Sequence, residues 1–319
     1  MRFLALMTII LGGAMASPAQ ANCDIGGRAV PCATKNGYYR IAKPPGPGPH
    51  PAVMYLYGSL GNSGDLIGNR GFVQAFVDRG YAVIVPAGLN LRYRSGIGSG
   101  WFLRNARTRK DRNDAAFVAE VLADAAVKHR IDRKRVLMAG MSNGGFLTWE
   151  IACHNPDMAA AYAPIAAGYL GKMPKKCRKP VRIIHTHGRA DQVVTVDESG
   201  DRFNAGARIA TLGETLGGAA RAAGCTHPGK STKFKEYDRT TWNGCQRGAS
   251  VDLLLHDGGH TIPLSWYSLI LDWFEGPGTV TNSVGGGTAR FQGVSEGESR
   301  FQRAGQGTGR FKRATTPSE

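Results

Sequence analysis

Ser142 lies in the run Gly140-Met141-Ser142-Asn143-Gly144-Gly145, a G-x-S-x-G pattern with the apolar stretch Val136-Leu137-Met138-Ala139 before it and a segment of helical period after it. The glycines matter because a serine raised on a sharp strand-to-helix turn brings neighbouring backbone too close for side chains two positions away. Such a serine attacks acyl carbons, and the amide after it, from Asn143, would stand at a helix N-terminus where a developing oxyanion is stabilised. The hydroxyl needs a base within hydrogen-bond reach and a carboxylate to orient that base. Behind a nucleophile on this kind of turn, the acid comes next along the chain and the histidine last. The run Val181-Arg182-Ile183-Ile184-His185-Thr186-His187-Gly188 reads as a strand, which puts Asp191 in the loop at its carboxyl end. The run Val251 to Leu255 reads as another strand, and His256-Asp257-Gly258-Gly259-His260 leads from it into the last helix. His260 is therefore the expected base and Asp191 the expected acid.

The rivals are weaker on position. His185 and His187 lie on the strand before the acid, where packing or loop-fixing roles are usual, and Asp197 and Asp201 lie further from the strand end than Asp191. The four-residue spacing of His256 and His260 would suit a metal pair on a helix, but Gly258 and Gly259 between them disfavour one. No metal or other cofactor is expected. A second oxyanion donor should come from the loop after an early strand. The run Ala52 to Tyr57 followed by Gly58-Ser59-Leu60-Gly61-Asn62 makes the Ser59 amide the first choice and that of Leu60 the second.

These groups need a frame, and the hydrophobic pattern supplies one. Apolar runs at 52–57, 81–86, 135–139, 159–165, 181–185 and 251–255 alternate with helical segments near 65–78, 113–128, 143–153, 204–222 and 264–273. Runs apolar on both faces, separated by amphipathic helices, imply an α/β fold with a mainly parallel central sheet and helices on both faces. Chemistry in such folds collects at the carboxyl ends of the strands.

The ends of the chain read differently. Met1-Arg2, an apolar run from Phe3 to Leu11 and the small-residue close Ala19-Gln20-Ala21 describe a cleavable export signal over 1–21, too short to span a bilayer. The expected catalytic domain is 22–278, and 279–319 is an expected disordered, basic, Gly-rich tail. Arg290-Phe291, Arg300-Phe301 and Arg310-Phe311 recur in that tail and would suit an anionic surface or polymer. Loss of Arg2 with the signal lowers the formal charge from +16 to +15. That balance bears on adhesion and solubility, and no motif points to specific nucleic-acid binding. The expected location is secreted or periplasmic, with no transmembrane segment in the mature chain.

Export also places the six cysteines in an oxidising compartment, where disulfides are their usual fate. Cys23 with Cys32 and Cys225 with Cys245 would close small loops, leaving Cys153 with Cys177, one of fifteen connectivities open to six cysteines.

From about Pro51 to Trp273 the chain resembles secreted α/β-hydrolase esterases, the group of polyhydroxybutyrate depolymerases and feruloyl and acetylxylan esterases. The likeness is carried by Gly58 to Asn62 after a strand, Asp114-Ala115-Ala116-Phe117-Val118 opening a helix, Gly140 to Gly145, His187-Gly188-Arg189-Ala190-Asp191 and Gly258-Gly259-His260-Thr261. It implies the α/β-hydrolase fold, a triad of Ser142, Asp191 and His260, and an ester substrate, polymeric or small. Trp101, after Gly96-Ile97-Gly98-Ser99-Gly100, resembles that family's tryptophan near the substrate cleft; packing of a loop is the other role open to it. Two positions depart from the family: Tyr57 stands where a His is usual before the Gly of the early loop, and Ile262 where a Trp often follows His-Thr. A serine peptidase of the same fold, or a non-catalytic adhesion protein keeping that fold, are the competing functions.

Overall fold

Three strand runs, His50–Leu56, Ala82–Pro86 and Ala161–Ile165, are buried at every residue, as strands covered on both faces must be. They belong to a computed structural model that describes residues 23–25, 28–93, 96–103, 111–196 and 208–276. The expected export signal, the expected tail, and Asp197 and Asp201 lie outside the described residues.

The main strands are β1 (Cys32–Thr34), β2 (Gly37–Ala42), β3 (His50–Leu56), β4 (Ala82–Pro86), β5 (Ile131–Met141), β6 (Ala161–Ile165), β7 (Arg182–Gly188), β8 (Tyr237–Asn243) and β9 (Ser250–His256). Their spatial order is β8-β9-β7-β6-β5-β3-β4-β2-β1, with the short pieces His227–Pro228 and Thr232–Phe234 beside β8 completing an 11-stranded sheet. The centre is parallel throughout from β9 to β4, while β2 on β4, β1 on β2 and β8 on β9 are antiparallel. The parallel strands therefore deliver the loops after β3, β5, β7 and β9 to one edge.

Among the described residues the helices are α1 (Ser63–Gly68), α2 (Arg70–Val77), α3 (Asp114–Lys128), α4 (Asn143–His154), α5 (Leu212–Ala222) and α6 (Trp266–Glu275). The single helix expected over 65–78 is two, because Asn69 is extended (φ −77°, ψ 101°) and its side chain accepts from Phe72 N to start α2. α3 begins as expected behind the Asn113 cap and buries Phe117, Val118, Val121, Leu122 and Ala125. Of the helix expected over 204–222, α5 covers Leu212–Ala222, opened by a capping box of Thr211 and Glu214, and 204–207 lie outside the described residues.

β7 shows how the helices divide. His185 lies against Trp149 of α4, whereas the next residue, Thr186, accepts a hydrogen bond from Trp266 Nε1 of α6 at 2.9 Å. Neighbouring strand residues point to opposite faces, so α4 and α6 cover opposite sides of the sheet. The disulfides join Cys23–Cys32, Cys153–Cys177 and Cys225–Cys245, the pairing expected from spacing. Among the described residues, no helix is long and apolar enough to cross a membrane.

Candidate active site

β5 ends at Met141 and α4 begins at Asn143, so Ser142 is the whole joint between strand and helix. Its backbone is at φ 54°, ψ −120°, a conformation that costs an L-residue of order 1–3 kcal/mol. It is held there by its own N–H donating to Ile165 O of β6 (2.9 Å) and by its carbonyl accepting from Phe146 N (2.9 Å). The flanking glycines are sterically required. A Cβ on Gly144 would lie 2.0 Å from Leu56 O, and one on Gly140 would lie 2.5 Å from both Gly144 O and Thr148 Oγ1. The Asn143 amide is among those that the first turn of a helix leaves without an internal acceptor.

Asp191 is buried in the turn after β7. Its Oδ1 accepts from the amides of Val193 (2.8 Å) and Val194 (2.9 Å), and its Oδ2 lies 2.8 Å from His260 Nδ1 and 3.3 Å from His187 Nε2. Burial opposes ionisation, but the hydrogen bonds from His187 and His260, the charge of His260 and the Val194 amide outweigh it, holding the carboxyl well below its usual range. The carboxylate thus fixes the His260 proton on Nδ1 and leaves Nε2 as the acceptor.

The acid loop and the base loop are built against each other. Arg189 N donates to His256 O (2.8 Å) and Ala190 N to Gly258 O (3.1 Å). Gly188 is a glycine because a Cβ there would meet Gly259 O at 2.1 Å. His256 is not a ligand partner of His260: it is buried, its Nδ1 accepts from Gly258 N, and burial, then the neighbouring His187, push its pKa down. Among the described residues, Cys23, Cys32 and His129 bring three metal-capable side chains together, but the two sulfurs are bonded to each other and offer no thiolate.

The sheet therefore delivers Ser142 from β5, Asp191 after β7 and His260 after β9 to the same edge, and brings Asp191 and His260 into contact. Among the described residues, no hydrogen bond joins Ser142 Oγ to His260. Proton transfer requires the two within roughly 2.6–3.2 Å, a separation that commonly closes only around bound substrate.

The loop after β3 lies against the serine. A Cβ on Gly58 would be 3.3 Å from Ser142 Cβ and 3.9 Å from its Oγ. Leu60 N donates to Ser99 O (2.8 Å) and Gly61 N to Gly58 O (3.2 Å), whereas Ser59 N has no acceptor among the described residues. Of the two sequence candidates, the Ser59 amide is thus the one left for an oxyanion. Trp101 is 2% exposed, with Nε1 donating to Tyr57 O (2.8 Å) and its backbone N–H donating to Asn143 Oδ1 (2.7 Å). The covered indole holds the early loop and the backbone N–H holds the head of α4, which favours the packing role over substrate contact. Tyr57 Oη accepts from Gly88 N (2.6 Å) and pairs with Ser99 Oγ (2.8 Å), so Tyr57 braces the ribbon of Leu89–Tyr93 and Gly96–Gly100.

Sequence reasoning missed the second histidine on Asp191. The four-residue step from His187 to Asp191 was visible, but it points to a contact only once the strand is known to end at Gly188 and turn back.

Comparison with known proteins agrees with this architecture. A family model described as the prolyl oligopeptidase family matches residues 70–169. The putative esterase NocK of Nocardia uniformis subsp. tsuyamanensis is 26% identical over 74% of this chain and 73% of its own length. Feruloyl esterase D of Neurospora crassa is 27% identical over 64% of this chain, which spans 62% of that protein, just under two thirds. Among solved structures, an acetyl xylan esterase from Aspergillus awamori superposes with a TM-score of 0.51 at 15% identity, covering 74% of this chain and 93% of its own. The fold is that of the α/β-hydrolases, and the chain is related to carboxylic-ester hydrolases.

Proposed function

We propose that the chain is an exported serine carboxylic-ester hydrolase that works through an acyl-enzyme. Ser142 is the nucleophile, His260 the general base, Asp191 the group that orients it, and the amides of Asn143 and Ser59 the oxyanion donors. The observation that carries this reading is the backbone of Ser142, held at φ 54° between β5 and α4 with glycines on either side and Gly58 against it. Strain of this kind persists where function needs it, and here it lifts a hydroxyl out of the sheet.

In the first half-reaction His260 Nε2 takes the Ser142 proton as Oγ bonds to the ester carbonyl carbon. The negative oxygen of the tetrahedral adduct is held by the two amides. Collapse expels the alcohol, which receives the proton from His260, and leaves Ser142 acylated. Water then repeats the sequence: His260 deprotonates it, it adds to the acyl carbon, and the acid leaves as Ser142 regains its proton. Each oxyanion donor in such a site contributes about 3–4 kcal/mol.

The names of the relatives and the family resemblance support feruloyl or acetyl esters of polysaccharides, or hydroxyalkanoate polyesters, as the substrate class. The three disulfides support an oxidising location, in line with the signal pattern at 1–21. On the same reading the arginine–phenylalanine pairs of the tail hold the enzyme to an anionic surface or polymer.

Ser142→Ala should lower turnover of short p-nitrophenyl esters by roughly four to six orders of magnitude and abolish fluorophosphonate labelling, with an unchanged circular-dichroism spectrum. Unaltered turnover would remove Ser142 from the mechanism. The match to the prolyl oligopeptidase model favours a second reading, a peptidase with the same triad. Parallel assays on ester and peptide substrates decide between them, because a peptidase must cleave the peptide bond as well as the ester, whereas an esterase leaves it uncut.

A further inference from the structure

Two buried histidines outside the proposed triad form a row that ends on its acid. β7 turns His185 and His187 to the α4 side, with His185 Nε2 3.0 Å from His187 Nδ1. At one end Trp149 Nε1 lies 3.3 Å from His185 Nδ1. At the other, His187 Nε2 lies 2.8 Å from Val194 O and 3.3 Å from Asp191 Oδ2. Trp149, His185, His187 and Asp191 are all buried.

An indole N–H can only donate, and that fixes every proton in the row. His185 Nδ1 must accept, so its proton is on Nε2 and goes to His187 Nδ1. The His187 proton is then on Nε2, shared between Val194 O and Asp191 Oδ2. A proton added to either ring would set two N–H groups face to face, at Trp149 or between the imidazoles. Burial first, and then the charge that His187 would carry, push the His185 pKa well down, and burial first and His187 second push down that of His256 of β9. Asp191, paired with His260, is the ionised group at the end of the row.

We propose that His187, oriented by His185 and Trp149, is a positioning residue for the acid: its Nε2–H gives Asp191 Oδ2 a second donor and ties down the turn from Asp191 to Val194. Trp149 roots the row in α4, the helix that Ser142 opens, so the same helix that lifts the hydroxyl also registers the carboxylate two strands away. The donor has an electrostatic consequence. It draws charge on Oδ2 away from His260, and a carboxylate relieved of it would pull harder on the imidazolium. The inference rests on the triad proposed above.

The test is the pH dependence of kcat/KM for a p-nitrophenyl ester, measured on the full chain with intact disulfides. His187→Ala should lower kcat by about 10²-fold, the scale of a small misplacement of a catalytic group. KM should stay within about twofold, because only the transition-state geometry is disturbed. The acid limb should move to higher pH. His187→Gln, whose amide N–H can reach the same acceptors, should recover most of kcat and return the limb towards its original position. Trp149→Phe keeps an aromatic ring, though a smaller one, and removes the N–H that fixes the row; it should move the limb in the same direction by less, and it also serves if His187→Ala does not fold. An unmoved limb in His187→Ala, or in Trp149→Phe where the first fails to fold, overturns the assignment, as does a glutamine variant no better than the alanine one. These failures are distinct from failure of the triad, in which the unsubstituted protein would not be labelled by a fluorophosphonate at Ser142.

Discussion

Asp191 is divided between two tasks, and each oxygen has one. Oδ1 holds its own loop through the Val193 and Val194 amides, while Oδ2 faces His260 and His187. Asparagine in its place would keep the oxygen on the two amides and turn an NH₂ towards His260. The ring would then have to accept at Nδ1 and carry its proton on Nε2, where the proposed reaction needs a lone pair. Asp191→Asn should therefore lower kcat by about 10⁴-fold with a nearly unchanged melting temperature, read from ester kinetics beside a thermal scan. Loss of less than tenfold would mean that another carboxylate orients His260. At this scale the sequence was informative about Ser142, Asp191 and His260, because strand ends and chain order constrain them. For Trp101 it offered a cleft role by resemblance or a packing role, and it could not show the partners Asn143 and Tyr57, which lie 42 and 44 positions away and meet it only through the fold.

The elements show where local pattern suffices. The inner strands were legible because both of their faces are apolar, and α3 because its asparagine cap stands directly before an amphipathic run. β2 and β8 escaped notice: Tyr237-Asp-Arg-Thr-Thr-Trp-Asn is mostly polar, with only Tyr237 buried, and pairs at the margin of the sheet. The break at Asn69 was hidden inside a continuous helical period. At Gly144, α4 passes so close to β3 that there is no room for a methyl group. Gly144→Ala must move Leu56 O from 2.0 Å and Tyr57 O from 2.6 Å of the new methyl, and backbone cannot swing aside as a side chain can. The expected cost is about 1–3 kcal/mol with loss of activity. Gly68→Ala, at the end of α1 with nothing within 4 Å, is the control and should be neutral or slightly stabilising by denaturant melts.

Across the whole molecule, the chain divides at the site in the same order as it divides in sequence. Residues up to β6 supply the early loop and Ser142, and residues from β7 onward supply Asp191 and His260. Between them runs an exposed basic stretch containing Lys175 and Lys176, followed at once by Cys177, which is bonded back to Cys153 at the end of α4. A protease recognition sequence inserted between Lys175 and Lys176 would thus make a two-piece protein with the proposed nucleophile, Ser142, on one polypeptide and its proposed base, His260, on the other. In solution the halves would stay paired through β6 against β7; on a non-reducing denaturing gel Cys153–Cys177 alone would keep them in one band, which would split into two only after a thiol reductant. Before reduction, the nicked protein should keep most of its hydrolytic rate. A bridge placed to fasten a surface loop is, on this topology, the sole covalent link that a cut there would leave between the polypeptides carrying Ser142 and His260.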